Sequence, residues 1–134
     1  MPSISGVVMI VDDDPMIRAL CRSKFEENGY AVLEAENGDR AVKLLKAEKV
    51  DVVFLDILMP DKDGLETLLE LKKLQPEARV YAMSGGGRRG SSTYLEIAER
   101  FGASGVIKKP FTPGMLVDLV RADGNRVAMK SSPA

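Results

Sequence analysis

The sequence has no histidine and a single cysteine. Without histidine the chain cannot be a histidine phosphocarrier, cannot host a Ser-His-Asp triad and cannot ligate a metal through imidazole. Cys21 has no second cysteine to bridge to, which fits a reducing cytoplasm, the expected location. Neither sign of charge is in excess: 19 Lys and Arg stand against 20 Asp and Glu, so no bulk attraction draws the chain to nucleic acid or an anionic membrane. No run approaches the roughly 20 apolar residues of a membrane span. The opening "MPSISG" lacks the basic and apolar regions of a signal peptide. Internal repeats and low-complexity segments are also missing.

What is present is an ordinary soluble balance in a length of one domain. The 134 residues are 45% hydrophobic and 29% charged, enough to bury a core without disulfides or a structural metal. Short apolar runs alternate with helical patterns. Val7 to Val11 reads as a buried strand, and Asp14 caps a following helix with Pro15 at its first position. Ile17, Leu20, Cys21 and Phe25 recur at helical spacing until Asn28-Gly29 stops them. "YAVLEA" (30–35), "VDVVFLD" (50–56), "ARVYAM" (78–83) and "GVIKK" (105–109) are four more strands. Helices are expected at "DRAVKLLKAE" (39–48), "GLETLLELKKL" (64–74), "TYLEIAERFG" (93–102, opened by the capping box Thr93-x-x-Glu96) and "TPGMLVDLVRA" (112–122). This fivefold alternation predicts an α/β fold, a doubly wound five-stranded parallel sheet covered on both faces. The expected strand order is 2-1-3-4-5, that of flavodoxin-like sheets. The expected domain covers residues 1–121, and the polar, patternless 122–134 is expected to be a short flexible tail.

The stretch "VMIVDDDP" (8–15) ends a buried strand by crowding three aspartates together, although adjacent carboxylates raise one another's cost of ionisation. In sheets of this class the functional crevice lies at the carboxyl ends of the strands. There the sequence places Asp12, Asp13 and Asp14 after the first strand, Asp56 after the third, Ser84 after the fourth, and Lys108 and Lys109 after the fifth. Hard oxygen donors that leave water on the ion suit Mg²⁺, with Mn²⁺ as a substitute, and such a cation would offset the aspartates. Asp14 has the separate task of capping. A carboxylate beside Mg²⁺, a hydroxyl and an ammonium is suited to accepting a phosphoryl group, since each neighbour can meet one of the moving oxygens.

The motifs "IVDDDP" (10–15), "VVFLDILMPDKDG" (52–64), "YAMSGG" (81–86) and "IKKPF" (107–111), in this order at strand ends, resemble those of response regulator receiver domains over roughly residues 5 to 121. The resemblance implies that Asp56 is the phosphoacceptor. It implies that Asp13 and Asp56 hold Mg²⁺ directly, Asp12 holds it through water, and the backbone carbonyl of Leu58 completes the set. Ser84 matches the switch hydroxyl, and Lys109, directly before Pro110, the lysine that pairs with the phosphoryl group. Met59, Pro60 and Gly64 match the turn that shapes the acceptor loop. The implied donor is a sensor histidine kinase or a histidine phosphotransfer protein, and the implied output is a downstream protein target or onward phosphotransfer. The chain is then a stand-alone signalling domain, a monomer or weak dimer, and not an enzyme acting on external substrates.

Two features depart from the family pattern. Tyr or Phe is common three residues before the "KP" lysine, and here Val106 stands there. The run Gly85-Gly86-Gly87 with Arg88-Arg89 predicts a mobile loop beside Ser84. Leu58 and Gly86, two positions after the acceptor and after the switch residue, cannot hold a water by hydrogen bonding, so slow self-hydrolysis is expected. Leu58 also argues against a haloacid-dehalogenase-type Mg²⁺ phosphohydrolase, which needs an acid there. Three aspartates after the first strand argue against a flavin phosphate site. A docking module of receiver fold that works without phosphate is the alternative that Val106 leaves open.

Overall fold

Nearly unbroken apolar strands need cover on both faces, and the arrangement of the chain supplies it. The structure, a computed structural model, describes residues 6–57, 64–85, 96 and 98–131. Its elements are β1 (Gly6–Val11), α1 (Pro15–Glu27), β2 (Tyr30–Ala35), α2 (Gly38–Ala47), β3 (Val52–Asp56), α3 (Gly64–Leu74), β4 (Arg79–Gly85), β5 (Gly105–Lys109) and α4 (Pro113–Ser131). The five strands form one sheet in the order β2-β1-β3-β4-β5, with every neighbouring pair parallel, as expected.

Alternation along the strands sorts the core into two layers. Met9, Val11, Val53, Leu55, Val80 and Ala82 pack against Ala41 and Leu45 of α2 and Leu65, Leu68 and Leu71 of α3. Val8, Ile10, Val52, Phe54, Tyr81 and Met83 pack against Cys21 and Phe25 of α1 and Leu116, Val117 and Val120 of α4. Burying each large side chain stabilises the fold by about 1.5–3 kcal/mol before entropy is counted. The second layer centres on rings. Phe54 and Tyr81 stack at 5.2 Å between centroids, and a Cβ at Gly105 would come within 3.1 Å of the Tyr81 ring.

The helix ends follow the local signals. Asp14 accepts a hydrogen bond from Met16 N at 2.9 Å, Asn37 from Arg40 N at 2.8 Å, and Thr112 Oγ1 from Met115 N at 3.3 Å. Asn28 ends α1, and Gly29 takes the left-handed φ of 88° that follows. Of the helix expected at 93–102, Glu96 and residues 98–100 are described and helical, and Gly102 closes them with φ 104°. Its Thr93 cap lies outside the described residues, as do Gly86, Gly87, Arg88 and Arg89.

The last helix corrects the reading of the sequence. It does not stop at Ala122 but runs to Ser131. The stretch looked patternless because it has no apolar period, yet it also has no proline before Pro133 and includes the strong helix formers Arg126, Ala128, Met129 and Lys130. Extending an existing helix avoids the cost of nucleation, and Gly124 subtracts only about 1 kcal/mol.

At the amino-terminal end of the sheet, one side chain joins three segments. Gln75 Oε1 accepts from Val50 N at 2.9 Å, while its Nε2 donates to Leu45 O at 2.9 Å and Glu48 O at 2.7 Å. Lys72 Nζ donates to Pro76 O and Ala78 O nearby, and Asp51 Oδ2 accepts from Val7 N at 2.8 Å.

Candidate functional site

Register explains why residues far apart in sequence meet. Val11 lies opposite Leu55, so Asp12 and Asp56 leave their strands side by side. Asp56 lies opposite Met83 and Gly85 opposite Lys109, which extends the same edge to β4 and β5. Asp12 continues the ladder by donating its N–H to Ala35 O at 3.1 Å. Period two then decides between the two lysines. Lys109 shares parity with Ile107, which packs on the second core layer, while Lys108 points outward with Val106, itself 37% exposed.

Lys109 Nζ bridges two carboxylates, donating to Asp12 Oδ2 at 2.9 Å and to Asp56 Oδ2 at 3.0 Å. Asp12 is fully buried and Asp56 is 5% exposed, whereas Asp13 is exposed. Asp12 Oδ1 also accepts from Asp14 N at 2.9 Å. Burial pushes the Asp12 carboxyl above its ordinary value and the nearby Asp56 adds to this, while the Asp14 N–H and Lys109 pull against it. Burial alone would pull Lys109 down, but its bonds to Asp12 and Asp56 outweigh that and hold it above its ordinary value.

One ammonium is therefore shared by two carboxylates, and a third stands beside them. Asp12, Asp13 and Asp56 each offer an oxygen, and these atoms lie within 4.8 Å of one another. An all-oxygen set with one exposed member fits a hard, partly hydrated divalent cation better than a soft one. Ser84 is the last but one residue of β4, on the same edge. It is completely buried, and its Oγ has no hydrogen-bond partner among the described residues. Asp12, Asp13, Asp56 and Lys109 are thus brought together. Ser84 is a strand-end neighbour not bonded to them. Leu58, with Met59, Pro60, Asp61 and Asp63, lies outside the described residues.

Two contributors to the site stand out only in three dimensions. Gly64, the first residue of α3, lies directly against the main chain of Ile57, and a Cβ there would sit 2.7 Å from Ile57 O. The chain after Asp56 can fold back onto α3 only because this residue has no side chain. Its place in the acceptor-loop motif hinted at this. Arg18 on α1 was not foreseen. Its Nη1 donates to Asp12 O at 2.7 Å, and its Nε donates to Glu34 Oε1 at 3.2 Å. The Lys109–Pro110 peptide is cis.

With this geometry in hand, the comparisons with known proteins agree with one another. The family model described as the response regulator receiver domain matches residues 8–121. The chemotaxis protein CheY of Thermotoga maritima is 36% identical over 112 residues, which is 83% of this chain and 91% of that protein. CheY of Listeria monocytogenes is 38% identical over 105 residues, 78% of this chain and 86% of that one. Among solved structures, the CheY-like receiver domain protein of Methanospirillum hungatei superposes with a TM-score of 0.80 at 26% identity, covering 93% of this chain and 98% of that one. NtrX of Brucella abortus superposes with a TM-score of 0.83 at 29% identity, covering 95% of this chain but only 28% of that longer chain.

Proposed function

This chain belongs to the response regulator receiver domain family of two-component systems, and on that premise we propose that Asp56 is its phosphoacceptor. The observation that carries the reading is the bridge from Lys109 to Asp12 and Asp56, with the carboxylate of Asp13 beside it. In the proposed step an oxygen of the Asp56 carboxylate attacks the phosphorus of a phosphohistidine on a sensor kinase or phosphotransfer protein. A P–O bond forms as the P–N bond breaks, and the imidazole nitrogen leaves with the bonding pair. Asp13 and Asp56, with Asp12 and the Leu58 carbonyl, would hold Mg²⁺, which when bound would supply neutralisation of the phosphoryl oxygens.

The chain's own groups do the rest. Lys109 holds Asp56 in place beforehand and turns to a phosphoryl oxygen once the acceptor oxygen is esterified. The Ser84 hydroxyl, without a partner among the described residues, can donate to another. Drawing that hydroxyl toward the phosphoryl group moves the end of β4 and shifts the population of a protein-binding surface. In this reading the domain signals to a downstream protein or relays phosphate, as a monomer or weak dimer in the cytoplasm, and does not turn over external substrates. Among the described residues no helix is long and apolar enough to cross a membrane. A Burkholderia pseudomallei response regulator that superposes with a TM-score of 0.77 at 26% identity was solved with a phosphorylated aspartic acid and a calcium ion. This precedent supports the proposed pairing of acceptor and divalent cation.

The test is intact mass after incubation with acetyl phosphate, with and without Mg²⁺, beside the Asp56→Asn chain. One added phosphoryl group that requires both Mg²⁺ and Asp56 is the expected result. No added mass, where another receiver is modified, points instead to a docking module that works without phosphate.

A further inference from the structure

Arg18 joins the acidic site to the edge strand. Its Nη1 meets the main-chain carbonyl of Asp12 at 2.7 Å. That carbonyl belongs to the peptide joining Asp12 to Asp13, so its orientation decides where Asp13 stands. Every other polar group of Asp12 is already committed: its N–H to Ala35 O, Oδ1 to Asp14 N and Oδ2 to Lys109. Asp13 is exposed, and its place follows from the backbone that Arg18 pins.

A guanidinium so near a cation site would repel the cation unless its charge were offset. Glu34 on β2 does this, accepting from Arg18 Nε at 3.2 Å, with Arg18 17% exposed and Glu34 27% exposed. The other oxygen of Glu34 accepts from Arg22 Nη1 at 2.9 Å, and Arg22 also reaches Glu26 at 3.3 Å. Glu34 is thereby held from two sides, and Arg18 is presented to Asp12 in a fixed fork.

We propose that Arg18, braced by Glu34, is the positioning residue that sets the Asp12–Asp13 peptide and thereby the affinity of the acidic site for a divalent cation. This rests on the proposed cation role of Asp12, Asp13 and Asp56, and Arg18 touches neither cation nor phosphoryl group. Outer groups that orient ligands are commonly worth about 10–100-fold in metal affinity.

The experiment is Mn²⁺ binding to the unphosphorylated full chain, followed by the loss of the free-ion electron paramagnetic resonance signal, with the melting temperature of each variant recorded. Arg18→Ala is expected to weaken Mn²⁺ binding about tenfold. Arg22→Ala, which bears on Glu34 but does not touch Asp12, is expected to weaken it by clearly less than Arg18→Ala does. Arg18→Lys keeps the charge without the fork and is expected to restore part of the affinity. Glu34→Gln leaves the guanidinium uncompensated, so it should weaken binding by an amount that shrinks as salt is raised. Equal loss in Arg18→Ala and Arg22→Ala, or a lower melting temperature with unchanged affinity in Arg18→Ala, overturns the proposal while leaving the cation site standing. A wild-type chain that binds no Mn²⁺ overturns both.

Discussion

At the amino-terminal end of the sheet three polar side chains are matched to the backbone they face, although Arg79 Nη1 is buried without a partner among the described residues. Gln75 supplies one acceptor and two donors to three backbone groups, Lys72 serves two carbonyls, and Asp51 takes the Val7 N–H. At the carboxyl end the matching is incomplete. Three carboxylates cluster while the nearby ammonium bonds two of them, a buried serine hydroxyl lacks a partner among the described residues, and a glycine lies against the main chain next to Asp56. The same strands, buried in the same two layers, carry both ends. The difference teaches how this fold distributes its polar groups: one pole ties its segments together through side chain to backbone hydrogen bonds, and the other keeps like charges together.

The contrast can be broken most forcefully at Gly64. Gly64→Ala drives a methyl group into the Ile57 backbone, and the expected loss is about 3 kcal/mol or more in urea unfolding, with phosphorylation lost as well. The next largest effect tests how far the acidic pole reaches into the core. Cys21 is 1% exposed, and burial first, with the charge of Asp12 second, pushes its thiol up to about 11. The folded value is raised above the unfolded one, so the unfolded chain sheds its proton first. Stability therefore falls as pH rises from about 9 to 11, by roughly 2–3 kcal/mol at the upper end. Denaturation curves across that range should show the fall in the wild type and a shallower one in Cys21→Ala, and Asp12→Asn should lower the pH at which native Cys21 is alkylated.

At the opposite pole Gln75→Ala removes three hydrogen bonds that water only partly replaces, and a loss of about 2 kcal/mol is expected by thermal unfolding. The smallest effect has the opposite sign. Asp13→Asn relieves like-charge repulsion, so the metal-free chain should gain about 0.5–1 kcal/mol. In millimolar Mg²⁺ the order should reverse, because the wild type alone keeps the full charge for the cation. If Asp13→Asn destabilises the metal-free chain, the carboxyl pole is not under charge repulsion and the contrast fails.

Most of the sheet could be read from the sequence because buried parallel strands announce themselves as short apolar runs, and the residue that ends each run lands on one edge. Asp12, Asp56 and Lys109 were legible for that reason, although Lys109 over Lys108 needed the family motif, and only the register shows the parity behind it. Arg18 was not legible, because one of its acceptors is a backbone atom and the other, Glu34, sits 16 residues away across an element boundary. Gln75 was hidden in the same way, 25 residues from Val50. The residues after Ala122 misled for a different reason: a helix that lacks an apolar stripe leaves only propensity to read, and propensity is a weak signal.

The bridge at Lys109 also has a consequence for the order in which the molecule is made. Its two acceptors lie 97 and 53 residues earlier in the chain. A ribosome releases Asp12 first, Asp56 next and Lys109 last, so through most of synthesis the acids are made without their ammonium. The pairing of both acids with their ammonium is therefore a late event in the making of the chain, tied to the last strand of the sheet.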